Sequence, residues 1–378
     1  MDKKVILAVA GSGKTRYILE RLSLDKRALI ITYTVNNTAN LRKGVIAKFG
    51  YLPNNIRIVT YFTFLHSFCY KPLLATVFPA KGILFAIPPA FTRQLPRTND
   101  LFYVTSSRYL YNNRLAKLLE QKEVLAEVNE RLQKYHDELF IDEIQDFAGH
   151  DFNLLKSMAK AHLPILFVGD FYQHTFDTSS DGNLNTSLHN DYKKYCKEFT
   201  AMGITVDTTT LQYSYRCSEN TCTFIREHLK IDIRSNRTDP TSVVKVNNQA
   251  DADRIFNDPE IVKLFYKEHY SYPCYSENWG SSKGQDHYES VCVVLYKGGQ
   301  EKFEAHTLNE LPPSSLNKLY VACSRARGDL YFVPETLFAK YKKITPKAPK
   351  EKADKKPTKR ATPRRTTKTK TKSAAKKN

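Results

Sequence analysis

The segment AVAGSGKT, residues 8–15, holds the residue types and spacing that most directly imply chemistry. Gly11 and Gly13 let a backbone curl until several N–H groups face one anion. Lys14 adds a cation for β- and γ-phosphates, and Thr15 adds a hydroxyl for Mg²⁺. The pattern G-x-x-x-x-G-K-[ST] is met with Ala8 at the first glycine. The backbone of Ala10, Gly11, Ser12 and Gly13, together with Lys14 and Thr15, is therefore expected to cradle the phosphates of ATP. A second signal is LFIDEIQD, 139–146, an apolar run that ends in adjacent carboxylates. Asp142 at the tip can hold Mg²⁺ through water, and Glu143 can orient or deprotonate an attacking water.

Such groups need rigid elements to place them. Apolar runs of strand length occur at 4–10, 27–34, 138–143, 163–170, 291–296 and 329–333. They are continuously apolar rather than alternating, as parallel strands covered on both faces require. Helix-like patterns lie between several of them, including 113–135, so the expected class is α/β. No apolar run approaches the ~20 residues of a membrane span. The short N-terminal apolar run enters glycines and reads as a buried strand rather than a secretory signal. The seven cysteines are scattered and never spaced CxxC, which fits a reducing interior. Cys217 and Cys222, with His228 nearby, lack zinc-ribbon spacing and read as packing residues.

With these residues in place, the chain resembles the UvrD/Rep-type helicases of superfamily 1. AVAGSGKT and DEIQD resemble their first two nucleotide motifs. ITYTVNNTA (31–39) resembles motif Ia, and TYFTFLHSF (60–68) resembles the TFHSF motif with Leu65 as an extra residue. FVGDFYQ (167–173), LQYSYRC (211–217), SSKGQDHYESVCVVL (281–295) and LYVACSRAR (319–327) resemble motifs III to VI in order. The resemblance spans about residues 1–334.

The resemblance implies two RecA-like P-loop NTPase domains with parallel sheets, ATP in the cleft between them and single-stranded nucleic acid across the top. The expected boundaries are 1–208 for the first domain, with a small helical insertion at about 72–135, and 209–340 for the second. Gln173 would sense the γ-phosphate. Arg216 and Arg325 would reach the nucleotide from the second domain, the alternative for each being an ordinary surface ion pair. Asp286 would hold the sugar. Thr34, Asn36, Thr63, Phe64, His66 and Phe176 would face the strand. For Phe64 a core position is an equal alternative, because it lies in the dense aromatic stretch 61–70.

Departures from the family pattern also matter. Only seven residues precede Ala8 and none is glutamine, so no adenine-reading glutamine is present there. After Gln173 the chain reads His174-Thr175-Phe176-Asp177, leaving Phe176 to stack on a base. Sixty-four residues separate Arg216 from Ser281, too few for a large inserted domain. The expected activity is an ATP-dependent DNA helicase or translocase. The alternatives are an RNA helicase, an NTPase that remodels complexes without unwinding, and an unrelated P-loop enzyme such as a small-molecule kinase. The last leaves Gln173 and Arg325 unexplained.

Charge is concentrated at the C-terminus. The chain carries +19 overall; residues 341–378 hold 16 Lys/Arg against two acids, +14, which leaves +5 for the other 340 residues. This tail has too little apolar surface to order itself and is expected to be a disordered arm for nucleic acid. The remaining expectations are a monomer, with an accessory protein as a further partner and no membrane. The location expected is cytoplasmic or nucleoid-associated, with a phage or other virus as a fitting source.

Overall fold

The computed structural model describes residues 2–175 and 184–343. Phe176 and the basic tail from residue 344 therefore lie outside the described residues. The chain to Lys343 forms one compact unit built around two sheets.

The first sheet holds β1 (Lys3–Leu7), β2 (Ala28–Thr32), β3 (Ile56–Thr60), β4 (Glu138–Asp142), β5 (Ile165–Gly169) and β6 (Thr205–Asp207), in the order β3-β2-β4-β5-β1-β6. Every pairing in it is parallel. Strands β2, β4 and β5 are buried along their whole length, β1 is buried from Val5 onward, and successive residues enter different cores. Val5, Leu7, Leu139, Ile141 and Phe167 face one core; Ile6, Phe140, Leu166 and Val168 face the other. This double burial explains why the sequence shows continuous apolar runs there.

The second sheet holds β7 (Val243–Lys245), β8 (Ile261–Phe265), β9 (Ser276–Asn278), β10 (Ser290–Leu295) and β11 (Leu330–Pro334), in the order β7-β11-β10-β8-β9. It too is wholly parallel and covered on both faces, with Val291 and Val293 on one side and Cys292 and Val294 on the other. The α/β class with parallel sheets is thus present in both halves, called lobes below.

The segment expected as a helical insertion is only partly helical. It contains a short parallel ribbon, Gly82–Leu84 with Tyr109–Tyr111, before the helices Leu115–Gln121 and Leu125–Tyr135. The single helix-like pattern at 113–135 is broken between these helices, where Glu123 adopts a left-handed φ of 56°. No helix among the described residues is long and apolar enough to cross a membrane.

Candidate nucleotide site and adjoining cleft

Three neighbouring strands of the first sheet, β4, β5 and β1, deliver the chemical segments side by side at their carboxyl ends. This is where ligands sit in open parallel sheets. β1 runs into the glycine loop. Gly11 and Gly13 have φ of 69° and 84°, left-handed values that glycine adopts without a side-chain penalty. A Cβ on Gly11 would also lie 2.6 Å from the Arg216 Cβ and 2.9 Å from Ser214 Oγ, so the second lobe approaches the bare backbone. Gly13 precedes the helix Lys14–Arg21, whose first N–H groups have no intrahelical acceptor.

At the tip of β4, Asp142 is buried and accepts the Glu143 N–H at 2.9 Å. Burial pushes the Asp142 carboxyl above its usual range, and the neighbouring Glu143 charge adds to that. Burial also opposes charge on Glu143, but Lys283 and Lys14 outweigh it and hold that carboxyl below its usual range. Glu143 has a φ of 57°, a left-handed conformation that costs a non-glycine residue on the order of 1–3 kcal/mol and clusters at functional sites. The Gln145 amide donates to Glu143 Oε2.

Beyond β5, Asp170 is a buried junction. It accepts from Gln173 Nε2 at 2.8 Å and from the Tyr320 hydroxyl at 2.9 Å, while its own N–H donates to Gln145 Oε1 at 3.0 Å. From the second lobe, Arg325 is 2% exposed and donates to Val321 O at 3.2 Å and to Asp286 Oδ1 at 3.3 Å. Arg216 donates to Ser324 O at 3.3 Å and also to Asp286 Oδ1. Burial, then the Arg216 charge, pull Arg325 down to about 10, which leaves it cationic at neutral pH.

Gly11–Thr15, Asp142, Glu143 and Gln173 from the first lobe, with Arg216, Asp286 and Arg325 from the second, line one cavity of about 380 Å³. The sequence-predicted residues that converge here are thus drawn from both lobes. The Thr15 hydroxyl and the Asp142 carboxyl are both hard oxygen donors on that cavity, which suits Mg²⁺. Residues 11–15 suit a polyphosphate.

A second cavity of about 510 Å³ adjoins the first and shares Asn37, Glu143 and Gly284 with it. Thr34 and Asn36 line it, together with Asp146, Thr175, Lys267, Asn278, Lys283 and Lys318. Thr34 also caps the helix Val35–Phe49, its Oγ1 accepting the Asn37 N–H at 3.1 Å.

The assignments of Ala10 and Phe64 need correction, and the places of Asp286, Thr63 and His66 can now be stated. Ala10 is fully buried, does not line the cavity, and its N–H is taken by the Tyr320 hydroxyl at 2.9 Å. Phe64 is 1% exposed and stacks on Phe68 with ring centroids 5.3 Å apart, so the core reading applies and no face is left for a base. Asp286 lies on the nucleotide cavity, with its Oδ1 bonded to both arginines. Thr63 is exposed and bonded to Thr60 at 2.8 Å, and His66 is half-buried beside Tyr70; neither lines the second cavity.

Sequence reasoning missed Gln145, Asp146, Asp170, Lys283 and Tyr320. All five lie inside the quoted motif segments, so their position was the available signal. Their pairings run between segments far apart in the chain and had no signature of their own.

The sequence profile of the viral superfamily 1 RNA helicase core domain matches residues 101–334. No curated protein matches this chain. Among solved structures, similarity is found to the PRRSV helicase, at 14% identity and a TM-score of 0.43, covering 88% of this chain and 52% of that one. Similarity is also found to arterivirus nonstructural protein 10, a helicase, in complex with DNA, at 13% identity and a TM-score of 0.45, covering 87% and 60%. The chain therefore spans about half to three-fifths of the length of these helicases. With more than half of its residues matched by that profile, the chain belongs to the viral superfamily 1 RNA helicase core domain family.

Proposed function

We propose that the chain is an NTP-hydrolysing motor that moves on single-stranded nucleic acid and separates strands. The observation that carries this reading is the single cavity lined by the phosphate loop, the Asp142–Glu143 pair and two second-lobe arginines. Residues 11–15 bind the triphosphate, with ATP as the proposed nucleotide, and Lys14 lies against its β- and γ-phosphates. Mg²⁺, held by Thr15 and Asp142, supplies charge neutralisation on the phosphates when bound. Glu143 accepts the proton of the attacking water on its carboxylate, and Gln173 holds that water or the γ-phosphate in place. Arg216 and Arg325 stabilise the transition-state charge, and because they belong to the other lobe, hydrolysis depends on how the lobes close. Asp286 clamps both guanidinium groups.

The proposed motor domains are residues 1–208 and 209–340, an assignment supported by the separate parallel sheets on either side of that boundary. The strand is assigned to the second cavity, with Thr34 and Asn36 on its wall. RNA is the proposed strand, supported by the family; the DNA substrate expected from the sequence is the alternative. The UvrD/Rep-type assignment rests on the motif segments alone, whereas the matching profile is the viral one. Residues 341–378 are proposed as a polyanion-binding arm on their charge.

One observation favours a remodelling NTPase as the second reading. Between Arg216 and Ser281 the second lobe carries its own helices and strands and no inserted domain. Turnover measured with and without single-stranded RNA or DNA, beside a strand-displacement assay, tests both readings. The motor reading expects stimulated turnover and displacement, both lost in Lys14→Ala. Stimulation without displacement supports the remodelling enzyme, and full activity in Lys14→Ala overturns both.

A further inference from the structure

The wall between the two cavities is held by a contact between lobes. Lys283, in the segment between β9 and β10, reaches the first lobe. Its Nζ lies 2.7 and 2.8 Å from the two oxygens of Asp146 and 3.6 Å from Glu143 Oε2. Asp146 is 1% exposed and the Lys283 side chain 11%. Three lysines line the second cavity: Lys267, Lys283 and Lys318. Lys267 and Lys318 flank the Tyr266 ring, at 5.4 and 5.7 Å from its centroid. Of the three, Lys283 is the one with ion pairs to Asp146 and Glu143 among the described residues.

We propose that Lys283 is a positioning residue through which a nucleic-acid strand in the second cavity controls Glu143. This inference rests on the motor reading above. The Glu143 carboxylate is held from two sides, by the Gln145 amide and by the Lys283 ammonium. A strand phosphate in the cleft competes for that ammonium. Between side chains this buried, charges interact more strongly than in open water, so a small displacement of Lys283 changes its hold on both carboxylates. Without a strand, Lys283 restrains Glu143 and ties the lobes together through Asp146. With a strand, part of its charge is drawn to the phosphate and Glu143 is released toward the nucleotide. The ion pair is thus a brake that the strand relieves.

The test measures NTP turnover with and without a saturating single-stranded RNA oligonucleotide. Lys283→Met alone leaves Asp146 as an unpaired buried charge. The double variant Lys283→Met/Asp146→Asn removes both charges and is the decisive one, its fold checked by a thermal melt. The expected result is a higher strand-free rate, with the ratio of strand-saturated to strand-free turnover reduced at least about fivefold. Lys283→Arg keeps the pairing and is expected to keep the wild-type ratio. A folded double variant with the wild-type ratio overturns the inference. So does a fall in its strand-free rate, since Lys283 would then support the chemistry directly. If the double variant does not fold, a loss of the ratio in folded Lys283→Arg overturns it, and retention supports it. Absence of stimulation in the wild-type chain would instead remove the motor reading itself.

Discussion

The Tyr320 hydroxyl joins the two lobes at the phosphate loop: it donates to Asp170 Oδ2 at 2.9 Å and accepts the Ala10 N–H at 2.9 Å. One oxygen thereby fixes the loop that follows β1 to the carboxylate that follows β5. Tyr320→Phe leaves the buried Ala10 N–H without its acceptor and Asp170 one donor short. The expected cost is about 1–3 kcal/mol, read as a lower urea midpoint, with weaker nucleotide binding from the loosened loop. An unchanged midpoint would show that the hydroxyl is not part of the structural link.

Glu143→Gln keeps the size of the side chain and its neighbour Gln145 while removing the base. Nucleotide binding should persist, and turnover should fall at least ~100-fold, as loss of a general base commonly costs. Binding by a fluorescent nucleotide analogue and single-turnover hydrolysis separate these effects. Failure to bind would mean that the strained left-handed residue serves the loop's shape rather than the chemistry.

Arg325→Ala should lower kcat by roughly 10³, the lower end for loss of a transition-state arginine. KM should change far less, because the contact is strongest as charge develops. Asp286 is 59% exposed at its side chain, so losing one of its two arginine partners leaves it hydrated rather than stranded. Equal losses in kcat and affinity would point to a folding or ground-state role.

His136 sets a pH dependence of stability away from the site. It is buried beside Phe68, ring centroids 5.7 Å apart, and among the described residues neither ring nitrogen has a hydrogen-bond partner. Burial first, then the charges of Arg57 and Arg27, hold it down at about 4. Between the ordinary histidine value near 6.5 and about 4, the unfolded chain binds a proton that the folded chain refuses. Stability should therefore fall as pH drops through that window, by at most about 3 kcal/mol from this group, reduced by solvent screening at its partly open side. Melts of His136→Phe across the same range should show a shallower dependence; an identical slope would assign it elsewhere.

Removing residues 342–378 takes away 16 cations and two acids. Nucleic-acid affinity should fall at low salt and the salt dependence should flatten. If about five to eight phosphates are neutralised by the tail, the log–log slope should lose roughly that number times 0.7–0.9. Binding isotherms at several salt concentrations test it. Identical slopes would leave the +5 body as the whole grip.

Much of the nucleotide site was legible in the sequence because its parts are local. The glycines that permit the loop, Lys14 and Thr15 after them, and the adjacent acids of 142–143 act through spacing within one short segment. Both-face burial of parallel strands leaves continuous apolar runs, so β1, β2, β4, β5, β10 and β11 were readable too. The strands β3, β6, β7, β8 and β9 and the ribbon at 82–84 and 109–111 were not. Several are short, and the ribbon lies in a segment whose helical pattern dominated the reading.

What only the tertiary structure decided is which groups are already committed to one another. Burial took Phe64 into the core, although its motif position suited a base, because apolar packing sees surface removed from water rather than sequence order. Asp286 meets Arg216 and Arg325 across 70 and 39 residues of chain, and Tyr320 meets Ala10 across 310. Lys283 and Asp146 lie 137 residues apart in sequence yet form one buried pair. The sequence by itself determined the residue types able to bind phosphate, hold a cation and take a proton. The packing of one lobe on the other decided their partners, because hydrogen bonds and ion pairs depend on distances of a few ångströms that sequence separation does not encode.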